Sequence, residues 1–144
     1  MRVVNQKRGA FSLIELMVVI IILGLLAALV MPNVLGQSEQ AKSRLACVQM
    51  KSIAQSLESF RMDNGRYPST EEGLAALVSN PDPDRFTGYL SGGYLSGKGV
   101  PRDPWNNPYI YIQEASGFDI LSLGADGREG GTGHDRDLRL SECD

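Results

Sequence analysis

The sequence predicts an α+β fold: one long N-terminal helix whose first half spans a membrane and whose second half packs on a small antiparallel β-sheet. Three observations carry that prediction. Leu16–Met31 is a run of sixteen residues without a polar side chain. Ala46, Met50, Ile53, Leu57 and Phe60 then recur at spacings of four, three, four and three, one face of a helix, within an otherwise polar stretch. Tyr109–Ile112 and Phe118–Leu123 read as two strands joined by Glu114–Gly117, an antiparallel hairpin.

The oily segment comes first in that order. A helix over residues 11–35 measures about 37 Å, enough for a hydrocarbon core about 30 Å thick. Only Ser12, Glu15 and Asn33 are polar within it. Pro32 removes an internal hydrogen bond and crowds the preceding turn, so a bend or local melting is expected near Leu29–Pro32. Met1–Ala10 is short and basic, with Arg2, Lys7 and Arg8, which predicts a cytoplasmic N-terminus and an exported C-terminal part. Glu15 has two readings on physics alone. It rests at headgroup level without a role, or it awaits a cation inside an apolar assembly. An ordinary signal peptide is a competing reading of the whole segment, with weak cleavage sites such as Val34-Leu35-Gly36 releasing a soluble domain.

Beyond the anchor, residues 36–144 allow one small domain. The chain has 144 residues and a net charge of −3, with 14 Lys+Arg against 17 Asp+Glu. No basic stripe interleaved with aromatics is present, which argues against nucleic acid as a partner. Gln37–Arg61 reads as an amphipathic helix ended by Asn64-Gly65. Ser69-Thr70-Glu71-Glu72 reads as a capping box opening a short helix, Thr70–Ser79, with Leu74, Leu77 and Val78 as its contacts. Asn80–Pro104 is Pro- and Gly-rich and is expected to be irregular, with a brief strand near Gly93-Tyr94-Leu95. Trp105-Asn106-Asn107-Pro108 reads as a turn.

Catalytic patterns are weak. The one histidine, His134, lies in a Gly-rich loop without a Ser or Cys motif to make it a base. Asp103 and Asp119 read as turn and strand residues rather than an acid pair. Gly127, Gly130, Gly131 and Gly133 lack the following Lys-Ser/Thr of a phosphate loop. Leu123–Asp137, LGADGREGGTGHDRD, collects Asp126, Glu129, Asp135 and Asp137 among glycines. Hard oxygen donors of this kind suit calcium, but the spacing is not that of an EF-hand, and the residues alone read as a solvated acidic loop.

Gly9-Ala10 followed by Phe11-Ser12-Leu13-Ile14-Glu15-Leu16-Met17 resembles the type IV pilin and pseudopilin family. The resemblance implies cleavage by a prepilin peptidase between Ala10 and Phe11, removal of residues 1–10, and N-methylation of Phe11. The family usually has Gly directly before the Phe, and here Ala10 intervenes, so a cut after Gly9 is the alternative. Further on, Arg66–Leu74, Gly93-Tyr94-Leu95, Asp103–Tyr109 and Ser122–Gly127 appear in order and resemble the major pseudopilins of type II secretion systems. Leu138–Asp144 fits that pattern less well.

That resemblance implies a homopolymeric periplasmic filament that drives folded proteins toward an outer-membrane channel. Its partners would be minor pseudopilins and an inner-membrane platform, and the chain would not be an enzyme. Localisation would be single-pass in the bacterial inner membrane, with the C-terminal domain periplasmic. Glu15 would pair with the new amine of Phe11 on a neighbouring subunit. The acidic loop would hold a structural calcium through the Asp126 and Asp135 side chains and the Leu123 and Arg128 carbonyls, with Asp137 and Glu129 as secondary candidates. A type IV pilus or DNA-uptake pilin, and a calcium-binding periplasmic module, are the alternatives. Cys47 and Cys143, the only cysteines, are either joined or left as free or intermolecular thiols.

Overall fold

The computed structural model describes residues 9–143, with the side chains of residues 31–35 left aside. Arg2, Lys7 and Arg8 of the basic leader therefore lie outside the described residues, as do the side chains of Pro32 and Asn33. Helix α1 runs over Leu13–Asn64. It continues through Pro32, so the local melting expected near Leu29–Pro32 is not observed. A proline inside a helix costs one hydrogen bond and leaves the bonds on either side available. The chain forms two compact units, one ending at Ser38 and one beginning at Glu39.

In the first unit, Leu13–Val30 has a mean hydropathy of 3.1 and none of it is buried. Apart from Glu15 it is apolar right round the helix, with Leu16, Met17, Val18, Val19 and Ile20 all exposed. Such a helix needs a surrounding other than water.

The second unit is organised on one face of α1. Ala46, Met50, Ile53, Leu57 and Phe60, the stripe read from the sequence, are all fully buried. Three antiparallel strands, in the order β1-β2-β3, pack with them: β1 Ile110–Glu114, β2 Gly117–Ser122 and β3 Leu138–Arg139. In the first ladder Ile110 faces Leu121 and Glu114 faces Gly117, so the hairpin loop shortens to Ala115-Ser116. Tyr109 and Tyr111 point inward while Ile112 is exposed, the alternation of a half-covered strand. In β2 the alternation stops, because Ile120, Leu121 and Ser122 are all buried. Leu138, Leu140 and Cys143 of the C-terminal strap join the core cluster to which Ile120 belongs.

Some expectations stand and others need correction. Helix α1 ends at Asn64, with the Asn64-Gly65 stop standing as read: the Gly65 amide donates to the Arg61 carbonyl and the Asn64 side-chain amide donates to the Phe60 carbonyl. The box at Ser69 forms as read: the Ser69 amide donates to Glu72 at 2.7 Å, and the Glu72 amide donates to the Ser69 hydroxyl at 3.1 Å. It closes a single turn, not a helix over Thr70–Ser79. Gly73 interrupts with φ +59 and ψ −166, a conformation only glycine adopts cheaply, and a 3-10 segment Leu74–Leu77 follows. Gly93-Tyr94-Leu95 is not a strand. The Tyr94 amide donates to the Leu77 carbonyl at 2.7 Å, a lone contact with no ladder. Gly93 sits so close that a Cβ there would lie 2.8 Å from the Leu77 oxygen. Strand β3 was not expected at all: two residues are too few to show a period.

Phe60 is the hub of the second unit. Its ring stands 5.2 Å from that of Phe86, 6.1 Å from Tyr89 and 5.3 Å from Tyr94, mostly edge-on. Phe60→Ala should therefore destabilise the domain by about 3–5 kcal/mol. Met62→Ala, at an exposed position two residues on, should change it by less than about 0.5 kcal/mol. Denaturant unfolding of the two variants checks the contrast.

Candidate functional site

Two regions hold the residues that the sequence singles out. At the N-terminal end Gly9, Ala10 and Phe11 are exposed ahead of α1. The helix opens with the Leu16 amide donating to the Ser12 carbonyl at 3.1 Å. Glu15 lies in the first turn, exposed, where the unpaired amides of a helix N-terminus favour an acid. Among the described residues it has no ion-pair partner.

The second region is the loop between β2 and β3. Its base is fixed by a residue that the sequence reading passed over as a turn aspartate. Asp103 is buried, and its Oδ1 accepts from the amides of Trp105 at 3.1 Å and Asn107 at 2.7 Å. Its Oδ2 accepts from the Ser122 hydroxyl at 2.6 Å. One carboxylate thus closes the Trp105–Pro108 turn and ties it to the end of β2. The Asn106 amide donates to the Asp103 carbonyl at 2.8 Å, and Asn106 takes φ +70, which Asn tolerates better than most residues. Asn107 reaches further: its Nδ2 donates to the Gly124 carbonyl at 3.0 Å. The signal was present as an Asp two residues before a Trp-Asn-Asn-Pro turn. The Ser122 partner, nineteen residues away, was not readable.

Above that base the loop folds on itself. The Ala125 amide donates to the His134 carbonyl at 3.2 Å, and Asp126 Oδ1 accepts from the Arg128 amide at 3.1 Å. Asp137 Oδ2 accepts from the Gly130 amide at 2.9 Å. Asp126, Glu129 and Asp135 are exposed, as is His134. Among the described residues no three His, Cys, Asp or Glu side chains converge on one point suited to a metal. One atom of the loop is out of balance: Asp137 Oδ1 is buried and has no hydrogen-bond partner among the described residues. A buried carboxylate oxygen without a donor is costly and is relieved by a cation. The donor set is all oxygen, which fits a hard ion such as calcium. With side chains this dispersed, backbone carbonyls would have to complete its shell.

Helix and turn are joined at the edge of this region. Trp105 Nε1 donates to Glu39 Oε2 at 2.7 Å, and Lys42 pairs with Glu39 Oε1 at 2.9 Å. The Lys42 hydrogen bond first, then that of Trp105, holds the Glu39 carboxyl below its ordinary 4.5. Two tyrosines brace the neighbouring core. The Tyr111 hydroxyl donates to the Pro68 carbonyl at 2.7 Å, and burial, with the nearby Tyr67 and Glu72, pushes its pKa up to about 12. The Tyr109 hydroxyl donates to Gln49 Oε1 at 2.5 Å, and burial ahead of the Asp103 charge raises it further. Both remain neutral phenols in the physiological range.

Cys47 and Cys143 are bonded, with S–S 2.04 Å and Cα atoms 5.4 Å apart. The bond ties the C-terminal strap to α1 across 96 residues. In the chain-entropy picture, closing a loop of that order stabilises the folded state by about 4.7 kcal/mol.

Comparison with known proteins finds two matching family models. One, described as "Type II secretion system (T2SS), protein G", matches residues 33–141, and the other, "Prokaryotic N-terminal methylation motif", matches residues 5–31. The type II secretion system core protein G of Pseudomonas aeruginosa is 46% identical over 140 residues, 93% of this chain and 95% of its own. That of Vibrio cholerae is 41% identical over 135 residues, covering 92% and 91%. The crystal structure of the major pseudopilin from the type 2 secretion system of enterohaemorrhagic Escherichia coli is similar with a TM-score of 0.59 at 32% identity. It aligns with 75% of this chain and 93% of its own.

The lowered Glu39 pKa gives a signed pH dependence. A depressed folded value means that the stabilisation is present above pH 4.5 and is lost as pH falls through the folded value. Glu39→Gln should lower the unfolding midpoint at pH 7, and its difference from the unmutated chain should shrink near pH 3. Denaturant titrations of both at the two pH values check this.

Proposed function

The chain belongs to the type II secretion system protein G family, the major pseudopilin, and from that membership we propose that it is the repeating subunit of a periplasmic pseudopilus. One observation carries the reading: Leu13–Val30 is apolar apart from Glu15 with none of its surface covered, while the domain core uses only the later part of the same helix. An uncovered helix of that kind sits first in lipid and then among identical helices, and each surrounding satisfies it. Polymerisation of these helices, driven with the minor pseudopilins and the inner-membrane platform, would push folded proteins outward. The chain's role is mechanical, with no reaction assigned to it. The inner membrane would hold the unassembled subunit by a single pass, N-terminus inside. A prepilin peptidase would cut between Ala10 and Phe11 and leave Phe11 as the methylated first residue; the exposure of Gly9–Phe11 supports access.

Glu15 is the assembly residue in this reading. After cleavage the Phe11 amine of a neighbour is the cation that lies nearest in sequence register. The attraction is about 4 kcal/mol at 4 Å with an effective dielectric of 20. Desolvation of both charges offsets much of it, so the pair sets register more than it adds affinity. Glu15→Ala should insert and be cleaved normally, because losing an acid only helps insertion. It should nevertheless form few filaments and secrete poorly. Filament counts and exoprotein release, beside a cleavage assay, test this. Normal filaments and secretion would leave Glu15 without an assembly role.

A structural calcium in the acidic loop belongs to the same proposal. Asp126 and Asp135 side chains and the Leu123 and Arg128 carbonyls would hold it, with Asp137 and Glu129 as further donors. The buried, unpaired Oδ1 of Asp137 supports this and raises Asp137 above the secondary place that the sequence reading gave it. The ion would add its binding free energy to the folded state alone, in a loop with too few apolar residues to hold itself. For the full-length chain in detergent, melting with about 1 mM calcium should exceed melting with chelator. In Asp126→Ala that difference should shrink. Identical wild-type melts in the two conditions would make the loop merely solvated.

A further inference from the structure

Asn64-Gly65, where α1 ends, is the single Asn-Gly step in the chain. Such a step carries a chemistry that needs no enzyme. Glycine has no Cβ to shield its backbone nitrogen, so that nitrogen can reach the side-chain carbon of the preceding Asn. In the folded domain both groups that would react are engaged. The Gly65 amide donates to the Arg61 carbonyl at 2.7 Å. Asn64 Nδ2 donates to the Phe60 carbonyl at 2.9 Å and to the Tyr94 hydroxyl at 3.0 Å.

Tyr94 clasps this end of the helix. Its hydroxyl also accepts from the Leu90 amide and donates to Asp63 Oδ2, both at 3.1 Å, which fills its hydrogen-bonding capacity. Its ring stands 5.3 Å from that of Phe60 and 5.2 Å from that of Tyr89. Gly88 closes the other side, where a Cβ would collide with the Asp63 carbonyl oxygen. The site also rejects the product. Asn64 Oδ1 is buried without a hydrogen-bond partner among the described residues, so a carboxylate here would be a charge short of donors. That charge would stand beside Asp63 at the C-terminal end of α1, the end that disfavours an acid.

We propose that Asn64 is a spontaneous deamidation site that the fold holds closed, with Tyr94 as its lock, so that conversion marks chains whose helix end has opened. The Gly65 nitrogen gives its proton to hydroxide and attacks Asn64 Cγ. An N–C bond forms, the Cγ–Nδ2 bond breaks, and Nδ2 leaves as ammonia with a proton from water. The cyclic imide then takes up water at one of its two carbonyls, and the adjoining N–C bond breaks. Cleavage at Cγ leaves aspartate. Cleavage at the main-chain carbonyl leaves isoaspartate, with an extra methylene in the backbone. The chain exchanges ammonia for water, and nothing is oxidised or reduced.

The sample is the full-length chain in detergent, aged in mildly alkaline buffer both folded and in denaturant. Its peptides are read by mass, with isoaspartate resolved by fragmentation. In denaturant Asn64 should convert ahead of Asn5, Asn33, Asn80, Asn106 and Asn107. In the folded chain it should convert at least about tenfold more slowly, because reaction waits on local opening. Tyr94→Phe keeps the ring and removes the hydroxyl. Its folded rate should rise about two- to tenfold while its rate in denaturant stays the same. Hydrogen exchange reads the lock without a variant: the Leu90 amide, held by the same hydroxyl, should be protected as strongly as Asn64 is. No preference for Asn64 in denaturant would overturn the site. Equal folded and unfolded rates in the unmutated chain would overturn its closure by the fold. An unchanged rate in folded Tyr94→Phe, or free exchange at Leu90, would overturn the part given to Tyr94.

Discussion

One face of one helix carries the folded domain. Ala46, Met50, Ile53, Leu57 and Phe60 supply the central row of the core, and most of what packs on them is irregular chain: Leu74–Leu77, Phe86, Tyr89, Tyr94 and the C-terminal strap. The sheet is small, with eleven residues in its two longer strands and only two in the third. Without the helix these segments have no common surface to bury, and burial is the dominant favourable term in folding. The dependence runs in one direction. The domain needs α1, whereas Leu13–Val30 makes no use of the domain core and turns its apolar surface outward. That separation of roles suits a subunit whose first half changes surroundings while its second half keeps its fold.

Because regular structure is sparse, side chains take over the pairing of backbone groups that ladders perform elsewhere. Ser69 and Glu72 close one turn between them. Asn80 and Asp82 close the next, with Asn80 Nδ2 donating to the Phe86 carbonyl and Oδ1 accepting from the Asp82 amide. Asp103 does so for the Trp105 turn and, through Ser122, joins it to the sheet. The Tyr94 hydroxyl accepts from the Leu90 amide and donates to Asp63 near the end of α1. Each bond is modest by itself, about 0.5–1.5 kcal/mol, but leaving the buried groups unpaired would cost more. The acidic loop is the extreme case, with almost no apolar anchoring and one buried carboxylate oxygen still unpaired at Asp137.

What the sequence by itself determined is whatever repeats within a few residues. The uncharged run after Glu15, the helical stripe from Ala46 to Phe60, the Ser69–Glu72 box, the turn at Trp105 and the hairpin after Tyr109 are all local patterns, and each stands in the structure, with boundaries shifted by a few residues. The short helix at Thr70–Ser79 was misread because Gly73 takes a backbone conformation that breaks it, and the short strand at Gly93-Tyr94-Leu95 because Gly93 packs on the distant Leu77 and Val78 backbone. Strand β3, the Asp103–Ser122 bond, the closure of Cys47 on Cys143 and the buried oxygen of Asp137 were decided by tertiary structure alone. Each joins residues far apart in the chain or turns on burial, and a sequence records neither until the chain has folded around its helix.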